Sequence, residues 1–149
     1  MNSEEMKQKY IERNLKNPFV RYNGIEVAAI ERDRAELRLP IREESRNFYG
    51  LVHGGAIYAL ADNASGCAAS TDGRSYVTQS STMHFLRNQA EGTVRAVATV
   101  RHRGKSTALI NVDVFGEDDR LLATGEFGFF CVDRDRMEQK RHGEGEGLK

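Results

Sequence analysis

Apolar and polar residues alternate through much of the second half of the chain. In residues 93–103 the apolar side chains on one face are those of Val94, Ala96, Ala98 and Val100. This period of two predicts a half-buried strand. Further strands are predicted over residues 107–115 and 121–132, with candidate turns at 104–105 and 116–120. Three successive strands joined by short turns predict an antiparallel meander.

The first forty residues predict one helix followed by a β-hairpin. Residues 3–17 carry a loose apolar stripe, with Ser3 as the N-cap and Asn17-Pro18 as the end of the helix. Two short strands follow over residues 24–30 and 35–39, joined by a tight turn. The apolar stripe of the helix is expected to pack on a sheet.

Between these regions lies a segment that is apolar on nearly all sides. Residues 56–69 contain six alanines and no Lys, Arg or Glu. A helix over about residues 55–71 is therefore predicted to be buried rather than to lie on the surface. Gly54 and Gly55 suit the helix entrance, where N–H groups lack intrahelical partners and carry the positive end of the dipole.

The predicted architecture is one α+β domain over residues 1–132. A loop over 40–52 leads into the long helix, and a strand over 76–86 follows it. Together with the hairpin and the meander, this gives a curved antiparallel sheet of about six strands around one long buried helix. Residues 133–149 are charged and glycine-rich, and they are expected to form a flexible tail.

Charge and composition exclude several classes of function. The 22 Lys and Arg residues balance the 22 Asp and Glu residues, so the chain has no overall attraction to nucleic acid or to an anionic membrane. Neither a membrane-spanning run nor a signal peptide is visible. Cys67 and Cys131 occupy apolar positions, so free thiols and a cytoplasmic location are expected. The four histidines lack metal-ligand spacing, so no metal is predicted.

Asp62 is the ionisable exception within the apolar helix. It is expected to share a face with Tyr58, Ser65 and Ala69. A buried carboxylate costs several kcal/mol unless a partner faces it. Asp62 also lies eight residues after Gly54, or roughly 12 Å along one helix axis. If the two residues act together, two antiparallel helices from neighbouring protomers must supply them.

The chemistry of this pair indicates hydrolysis of an activated acyl group. Exposed N–H groups at a helix entrance polarise a carbonyl and hold a developing oxyanion. A carboxylate in an apolar setting serves as a general base for water or as a nucleophile, and both routes remain open. A Gly-x-Ser-x-Gly motif is absent, and no Ser or Cys nucleophile with an attendant His is visible.

The helix and its entrance closely resemble the hotdog-fold acyl-CoA thioesterases of the PaaI type. The matching positions are Asn47, Gly50-Leu51-Val52-His53-Gly54-Gly55, Leu60-Ala61-Asp62 and Ala64, with further likeness at Phe85-Leu86-Arg87, Gly92 and Arg103-Gly104-Lys105. The likeness covers about residues 20–132. One departure is Asn88-Gln89-Ala90, where many relatives have Pro-Ala after the Phe-Leu-Arg segment. The resemblance implies a hotdog fold and hydrolysis of acyl- or aryl-CoA, with no cofactor beyond the coenzyme A of the substrate.

The resemblance also implies roles for individual residues. Asp62 matches the catalytic carboxylate, and Gly54 matches the glycine whose N–H binds the thioester carbonyl. His53 is expected to order the loop and contact the substrate. Asn47 is expected to orient the attacking water or the thioester, although it also suits a turn cap. Thr78 matches a hydroxyl close to the carboxylate, although it also suits an ordinary strand.

Further residues are candidates for substrate contacts. Gly55 and Tyr58 adjoin the predicted site, and an aromatic ring or a medium-length chain would suit its pocket equally well. Arg101, Arg103 and Lys105 cluster near a turn, where they would meet the phosphates of coenzyme A or be solvated.

Two other functions compete with hydrolysis. The same fold could hold acyl-CoA as a sensor or carrier without turnover, although a pure binder has little use for Asp62. A hotdog dehydratase pairs a His with an acid in a different local sequence, which this chain lacks. For the hydrolase, a homodimer or a dimer of dimers (a homotetramer) is expected.

Overall fold

Within residues 1–132, six antiparallel strands form one sheet, and the longest of three α-helices lies across it. The structure is a computed structural model that describes residues 1–132, so the predicted tail at 133–149 lies outside the described residues. The helices are α1 (Ser3–Leu15), α2 (Pro18–Asn23) and α3 (Gly54–Ser70). The strands are β1 (Glu26–Glu31), β2 (Arg34–Pro40), β3 (Ser75–Phe85), β4 (Thr93–Arg103), β5 (Thr107–Phe115) and β6 (Leu121–Val132).

The strand order is β1-β2-β4-β5-β6-β3, and every neighbouring pair is antiparallel. This confirms the predicted α+β class, and the β4-β5-β6 meander and the six strands lie where the sequence placed them. Within residues 1–132, the strand β3 pairs only with β6, although it precedes β4 in the chain. It therefore forms a free edge of the sheet, directly beside α3.

The core lies between α3 and the sheet. Alternate residues of β4 and β5 point inward and are buried, among them Val94, Ala96, Ala98, Ile110, Val112 and Val114. They meet the alanine-rich side of α3, where Leu60, Ala61 and Ala64 are fully buried. Small side chains on the helix allow it to approach the sheet closely, which fixes the position of its central carboxylate.

The prediction that α3 is buried nearly all round is wrong on one side. Among its half-buried positions, Asp62, Asn63, Gly66 and Ser70 line a groove, and Tyr58 and Ala59 line a smaller recess beside it. Ser65 and Ala69, predicted to share this face, are fully buried. Ser65 lies about 60° around the helix from Asp62, toward the sheet. Near Ala69, α1 covers the helix, and Tyr10 on α1 makes a 2.7 Å hydrogen bond with the Ser70 hydroxyl.

The N-terminal region contains two helices where one was predicted. The cap of α1 is Asn2 rather than Ser3: its Oδ1 accepts the N–H of Glu5 at 2.9 Å. The second helix, α2, begins with Asn17 as N-cap and Pro18 in the first turn, and it ends at Gly24 with φ 70°. An Asn-Pro pair is a helix start as well as a helix end, because proline fits the first turn.

The described helices do not include a membrane span. None of those in residues 1–132 combines the length and the apolar character that crossing a bilayer demands.

Candidate active site

The Asp62 carboxylate is half-buried in the middle of α3, and a strand hydroxyl faces it. Thr78 Oγ1 donates a hydrogen bond of 2.6 Å to Asp62 Oδ1. This length is typical of a hydroxyl that donates to an ionised carboxylate. Within residues 1–132, Asp62 Oδ2 has no hydrogen-bond partner. The structure therefore supplies the facing partner that Asp62 requires, and it leaves one oxygen open.

A β-bulge brings two strand hydroxyls to the same face. The pairing of β3 with β6 shifts register between Thr78 and Ser80. Thr78 and Ser81 consequently lie opposite the inward-pointing Phe129 and Phe127. In a regular strand, residues three apart point to opposite faces, so the extra residue is what turns both hydroxyls inward.

The second hydroxyl holds Tyr58, the α3 residue one turn before Asp62. Ser81 Oγ is hydrogen-bonded to the Tyr58 hydroxyl. The Tyr58 ring packs edge-on against Phe127, with 5.5 Å between centroids and 64° between planes. Both polar side chains on this part of α3 are thus fixed by β3.

At the helix entrance, His53 is the N-cap and uses most of the first donors. Its Nδ1 accepts the N–H of Gly55 at 2.9 Å, which places the proton of a neutral ring on Nε2. Its carbonyl oxygen accepts from Ala56 at 2.9 Å and from Ile57 at 3.1 Å. Among residues 1–132, the Gly54 N–H has no acceptor. Of the two glycines, Gly54 therefore offers a donor to a ligand, and Gly55 does not.

The loop before α3 holds His53 firmly. The His53 N–H donates to the buried Ser45 carbonyl at 2.7 Å, and Val52 donates to the Gln89 carbonyl at 2.8 Å. A Cβ on Gly55 would lie 3.1 Å from His53 Nδ1, tighter than most contacts of a Cβ. A glycine at position 55 thus allows the imidazole to reach its capping position.

Asn47 does cap a turn. Its Oδ1 accepts from the N–H groups of Tyr49 at 2.9 Å and Leu51 at 3.1 Å. Its Nδ2 makes no hydrogen bond within residues 1–132. A role toward substrate therefore depends on the amide nitrogen, because the oxygen is occupied by the backbone.

The predicted coenzyme A residues lie at the other end of α3. From Gly54 to Ser70 the helix axis rises about 24 Å. Arg101 and Lys105 have exposed side chains there. The structure therefore does not bring these cations together with the helix entrance of the same chain.

The Arg103 side chain is 16% exposed, and both of its terminal nitrogens are engaged, whereas its buried Nε has no hydrogen-bond partner within residues 1–132. Its Nη1 donates to the Ala69 carbonyl at 2.7 Å and lies 2.8 Å from Asp72 Oδ2. Its Nη2 donates to Asp33 Oδ1 at 2.8 Å and to the Ala68 carbonyl at 3.3 Å. The guanidinium thus closes the C-terminal end of α3 and joins it to the β1–β2 turn.

The carboxylate cluster around Arg103 was not identified from the sequence, which predicted only that the long helix ends at about residue 71. Burial alone would raise the pKa of Asp72, but hydrogen bonds from Tyr76 and Arg74 and the charge of Arg103 lower it to about 2. Tyr76 donates to Asp72 Oδ2 at 2.6 Å. Asp72 therefore stays ionised within a stable network.

Two cavities adjoin the Asp62–Thr78 pair. A groove of about 660 Å³ runs between α1, α3 and β3 toward Arg13 and Arg74. A smaller recess of about 450 Å³ opens beneath Phe19 of α2. No three His, Cys, Asp or Glu side chains within residues 1–132 are grouped to hold a metal ion.

Comparison with known proteins places this geometry in a family. The family model described as the thioesterase superfamily matches residues 49–123, which include His53, Gly54, Asp62 and Thr78. The acyl-coenzyme A thioesterase PaaI of Escherichia coli is 29% identical over 101 residues, 67% of this chain and 72% of that protein. A 1,4-dihydroxy-2-naphthoyl-CoA hydrolase of Listeria monocytogenes is 32% identical over 103 residues, 66% of this chain and 83% of the relative.

Solved structures agree with this assignment. That of the Escherichia coli PaaI protein has a TM-score of 0.82 at 23% identity, covering 88% of this chain and 96% of its own, and it supports the fold. Streptococcus mutans smu.793, bound to acetyl CoA, has a TM-score of 0.69 at 26% identity and covers 72% of this chain and 88% of its own. The predicted relationship is confirmed: the chain belongs to the thioesterase superfamily, as a hotdog-fold protein of the PaaI type.

Proposed function

We propose that the protein hydrolyses acyl-CoA thioesters at a site to which two subunits contribute. The observation that carries the proposal is the Asp62 carboxylate, with Oδ1 held by Thr78 and Oδ2 open. Family membership supports the reaction type, because two relatives are named for hydrolysis of CoA thioesters. The acetyl CoA bound to smu.793 supports the ligand class.

In the proposed reaction, Asp62 Oδ2 takes a proton from a water molecule whose oxygen attacks the thioester carbonyl carbon. The carbonyl oxygen becomes an oxyanion, and the Gly54 N–H at the positive end of α3 stabilises it. The C–S bond then breaks, the sulfur takes the proton from Asp62, and the free acid leaves. Direct attack by Oδ2 would instead break the C–S bond, expel the coenzyme A thiolate and form a mixed anhydride, which water then hydrolyses to release the acid and restore Asp62.

Geometry requires two chains for this arrangement. An oxyanion donor and an attacking group must both lie about 3 Å from the reacting atoms, whereas Gly54 and Asp62 are about 12 Å apart along α3. The free edge of β3 lies beside Asp62 and exposes the backbone of a whole strand. A second copy that pairs with this edge in antiparallel fashion would set the two α3 helices antiparallel.

Other residues complete the proposed site. The Asn47 amide nitrogen and the exposed His53 ring contact the thioester near Gly54. Tyr58 lines the acyl side, while Arg101 and Lys105 meet the phosphates of coenzyme A. Arg103 is left out, because its guanidinium already serves helix carbonyls and carboxylates. No cofactor is needed, since coenzyme A arrives with the substrate.

The first test is thiol release from a panel of acyl-CoA thioesters. Asp62→Asn is expected to lower kcat by on the order of 10²–10⁴, because it removes the acid–base group. Asp113→Asn is the matched control: Asp113 on the outer face of the sheet also accepts from a threonine, Thr124 Oγ1, at 2.7 Å. Full turnover by Asp62→Asn, or acyl-CoA binding without thiol release by the wild type, would contradict the proposal.

The shared site has its own test in the same assay. Asp62→Asn and Gly54→Pro are each expected to be nearly inactive, since each removes one half of every site. When the two variants are unfolded, mixed and refolded together, half of the dimers carry one intact site. Activity is then expected to return to about a quarter of wild type. No recovery in a mixture that has exchanged subunits would place both groups in one chain.

A further inference from the structure

The large aromatic side chain of Phe19 is exposed to solvent beside the candidate active site. It is 58% exposed, whereas the next residue, Val20, is 1% exposed and anchors α2 in the core. The other end of α2 is also fixed, because Arg42 donates to the Tyr22 carbonyl. The backbone at Phe19 is therefore held by the fold, although no packing within residues 1–132 covers its ring.

The ring forms one wall of the smaller recess. The lining consists of Phe19, Gly55, Tyr58, Ala59, Asp62 and Thr78. Two of these, Asp62 and Thr78, are the hydrogen-bonded pair, and the remaining walls are two aromatic rings, a methyl group and a glycine. A volume of about 450 Å³ lies within the usual range for small-molecule sites.

The part of the recess lined by Tyr58 is rigid. The Tyr58 hydroxyl is held by Ser81, and its ring is braced edge-on by Phe127. The recess is therefore preformed on the α3 side, and Phe19 is the lining side chain that comes from outside α3 and β3. An acyl group that enters the recess from Asp62 would meet two aromatic rings among its walls.

We propose that Phe19 determines acyl-group specificity and favours bulky apolar acyl groups over small or charged ones. This inference rests on the proposed hydrolysis at Asp62. The coenzyme A half of a thioester carries phosphates and amides, which apolar walls would strip of water without offering partners. The acyl half is the part that this recess can accommodate while the carbonyl stays at Asp62.

The larger groove is the alternative path for the acyl group, and its chemistry differs. It is lined by Arg13, Arg74 and several amide side chains, among them those of Asn14 and Asn63. A charged acyl terminus would find cations there that the smaller recess does not offer, and the groove also has apolar walls at Val77 and Phe129. Because the two paths diverge at Asp62, a change at Phe19 alters apolar substrates selectively.

The test compares kcat/KM for benzoyl-, octanoyl-, acetyl- and succinyl-CoA. Phe19→Ala is expected to lower kcat/KM about 10- to 100-fold for the benzoyl and octanoyl thioesters, and to change the acetyl value by less than about twofold. Phe19→Leu retains an apolar wall and is expected to keep most of the preference. Tyr22→Ala is the matched control, since Tyr22 lies on the same short helix, is 70% exposed and is absent from the recess.

The outcomes separate this inference from the proposed function. If the wild type hydrolyses none of the four thioesters, the proposed function fails. Suppose instead that the wild type hydrolyses them and Asp62→Asn does not. If Phe19→Ala then changes kcat/KM equally for all four thioesters, or for none, Phe19 does not select the acyl group. A uniform loss together with loss of the dimer would assign Phe19 to subunit contact. If Phe19→Ala does not fold, the kcat/KM values of Phe19→Leu for the four thioesters are compared with those of Tyr22→Ala, and identical values for the two variants would contradict the inference.

Discussion

The two ends of α3 treat their unpaired backbone groups in opposite ways. At the C-terminal end, the carbonyls of Ala68 and Ala69 accept hydrogen bonds from Arg103, and Thr71 Oγ1 also donates to Ala68 at 2.8 Å. At the entrance, His53 caps Gly55, but the Gly54 N–H stays without an acceptor in residues 1–132. One end is closed by charged side chains, and the other keeps a donor.

This difference indicates where a ligand belongs. Unpaired groups at a helix end need water, a side chain or a ligand, and a partly buried end without any of these is rare. At the closed end, one arginine and two aspartates form a permanent network. At the open end, the loop satisfies every neighbour of the Gly54 N–H but not the group itself. We therefore expect function to depend on the entrance and stability to depend on the closed end.

Of the changes at the two ends of α3, the largest expected effect comes from removing the open donor without disturbing the helix. Gly54→Pro deletes the N–H, and proline is well tolerated in the first turn of a helix. His53 already has φ −67° and ψ 135°, the conformation that a following proline requires. A Cβ on Gly54 would make only an ordinary 3.7 Å contact with Phe85. We expect kcat to fall about 10²- to 10³-fold.

Gly54→Ala is the matched control, because it adds the same Cβ but keeps the N–H. It should lose less than about tenfold in kcat, well short of the loss expected for a missing oxyanion donor. Thermal unfolding of both variants should resemble that of the wild type. Equal kcat for the proline and alanine variants would show that the Gly54 N–H does not serve the reaction. The open end of α3 would then have no catalytic role through this donor.

The next effect is on stability, at the closed end. Arg103→Ala leaves two carboxylates and two helix carbonyls without their partner, and it is expected to lower the free energy of unfolding by about 3 kcal/mol. Arg101→Ala, an exposed position on the same strand, should change it by less than about 0.5 kcal/mol. Urea denaturation measures both. If Arg103→Ala instead raised KM for acyl-CoA without loss of stability, the guanidinium would belong to the substrate site.

The sequence predicts the bounds of the strands more completely than it predicts which strands pair with each other. Period-two alternation placed β4, β5 and β6 at the bounds that the structure has, because alternation follows directly from one buried face. The same pattern does not say which strands pair. The edge position of β3, which opens the site to a second subunit, depends on pairing with β6 at long range and was not predicted.

The site could be predicted only in part, because a local alternation pattern does not reveal bulges or contacts between distant residues. The proximity of Thr78 to Asp62 came from the family resemblance, since the bulge after Thr78 breaks the alternation that would assign faces. Phe19 was missed because Asn17-Pro18 was interpreted as a helix end only. Arg103 was assigned to solvent or phosphate because its partner Asp33 lies 70 residues earlier, a distance that no local pattern spans.

The smallest expected effect is the pH dependence that the closed end contributes. The pKa of Asp72 is lowered from an ordinary value of 3.8 to about 2 in the folded protein. Between these values the unfolded chain binds a proton that the folded chain does not, so acidification favours unfolding. The contribution of Asp72 is complete above about pH 4 and is lost as the pH falls toward 2.

Two variants test this contribution through unfolding free energies measured from pH 7 to pH 2. Asp72→Asn should be less stable than the wild type near neutral pH, and the difference should shrink through the acid range. Tyr76→Phe removes the 2.6 Å donor to Asp72, so the pKa of Asp72 rises and stability is lost at a higher pH than in the wild type. Parallel curves for all three proteins would mean that the Asp72 network does not stabilise the closed end. The closed end would then be stabilised by the contacts of Arg103 with Asp33 and with the helix carbonyls, without a contribution from Asp72.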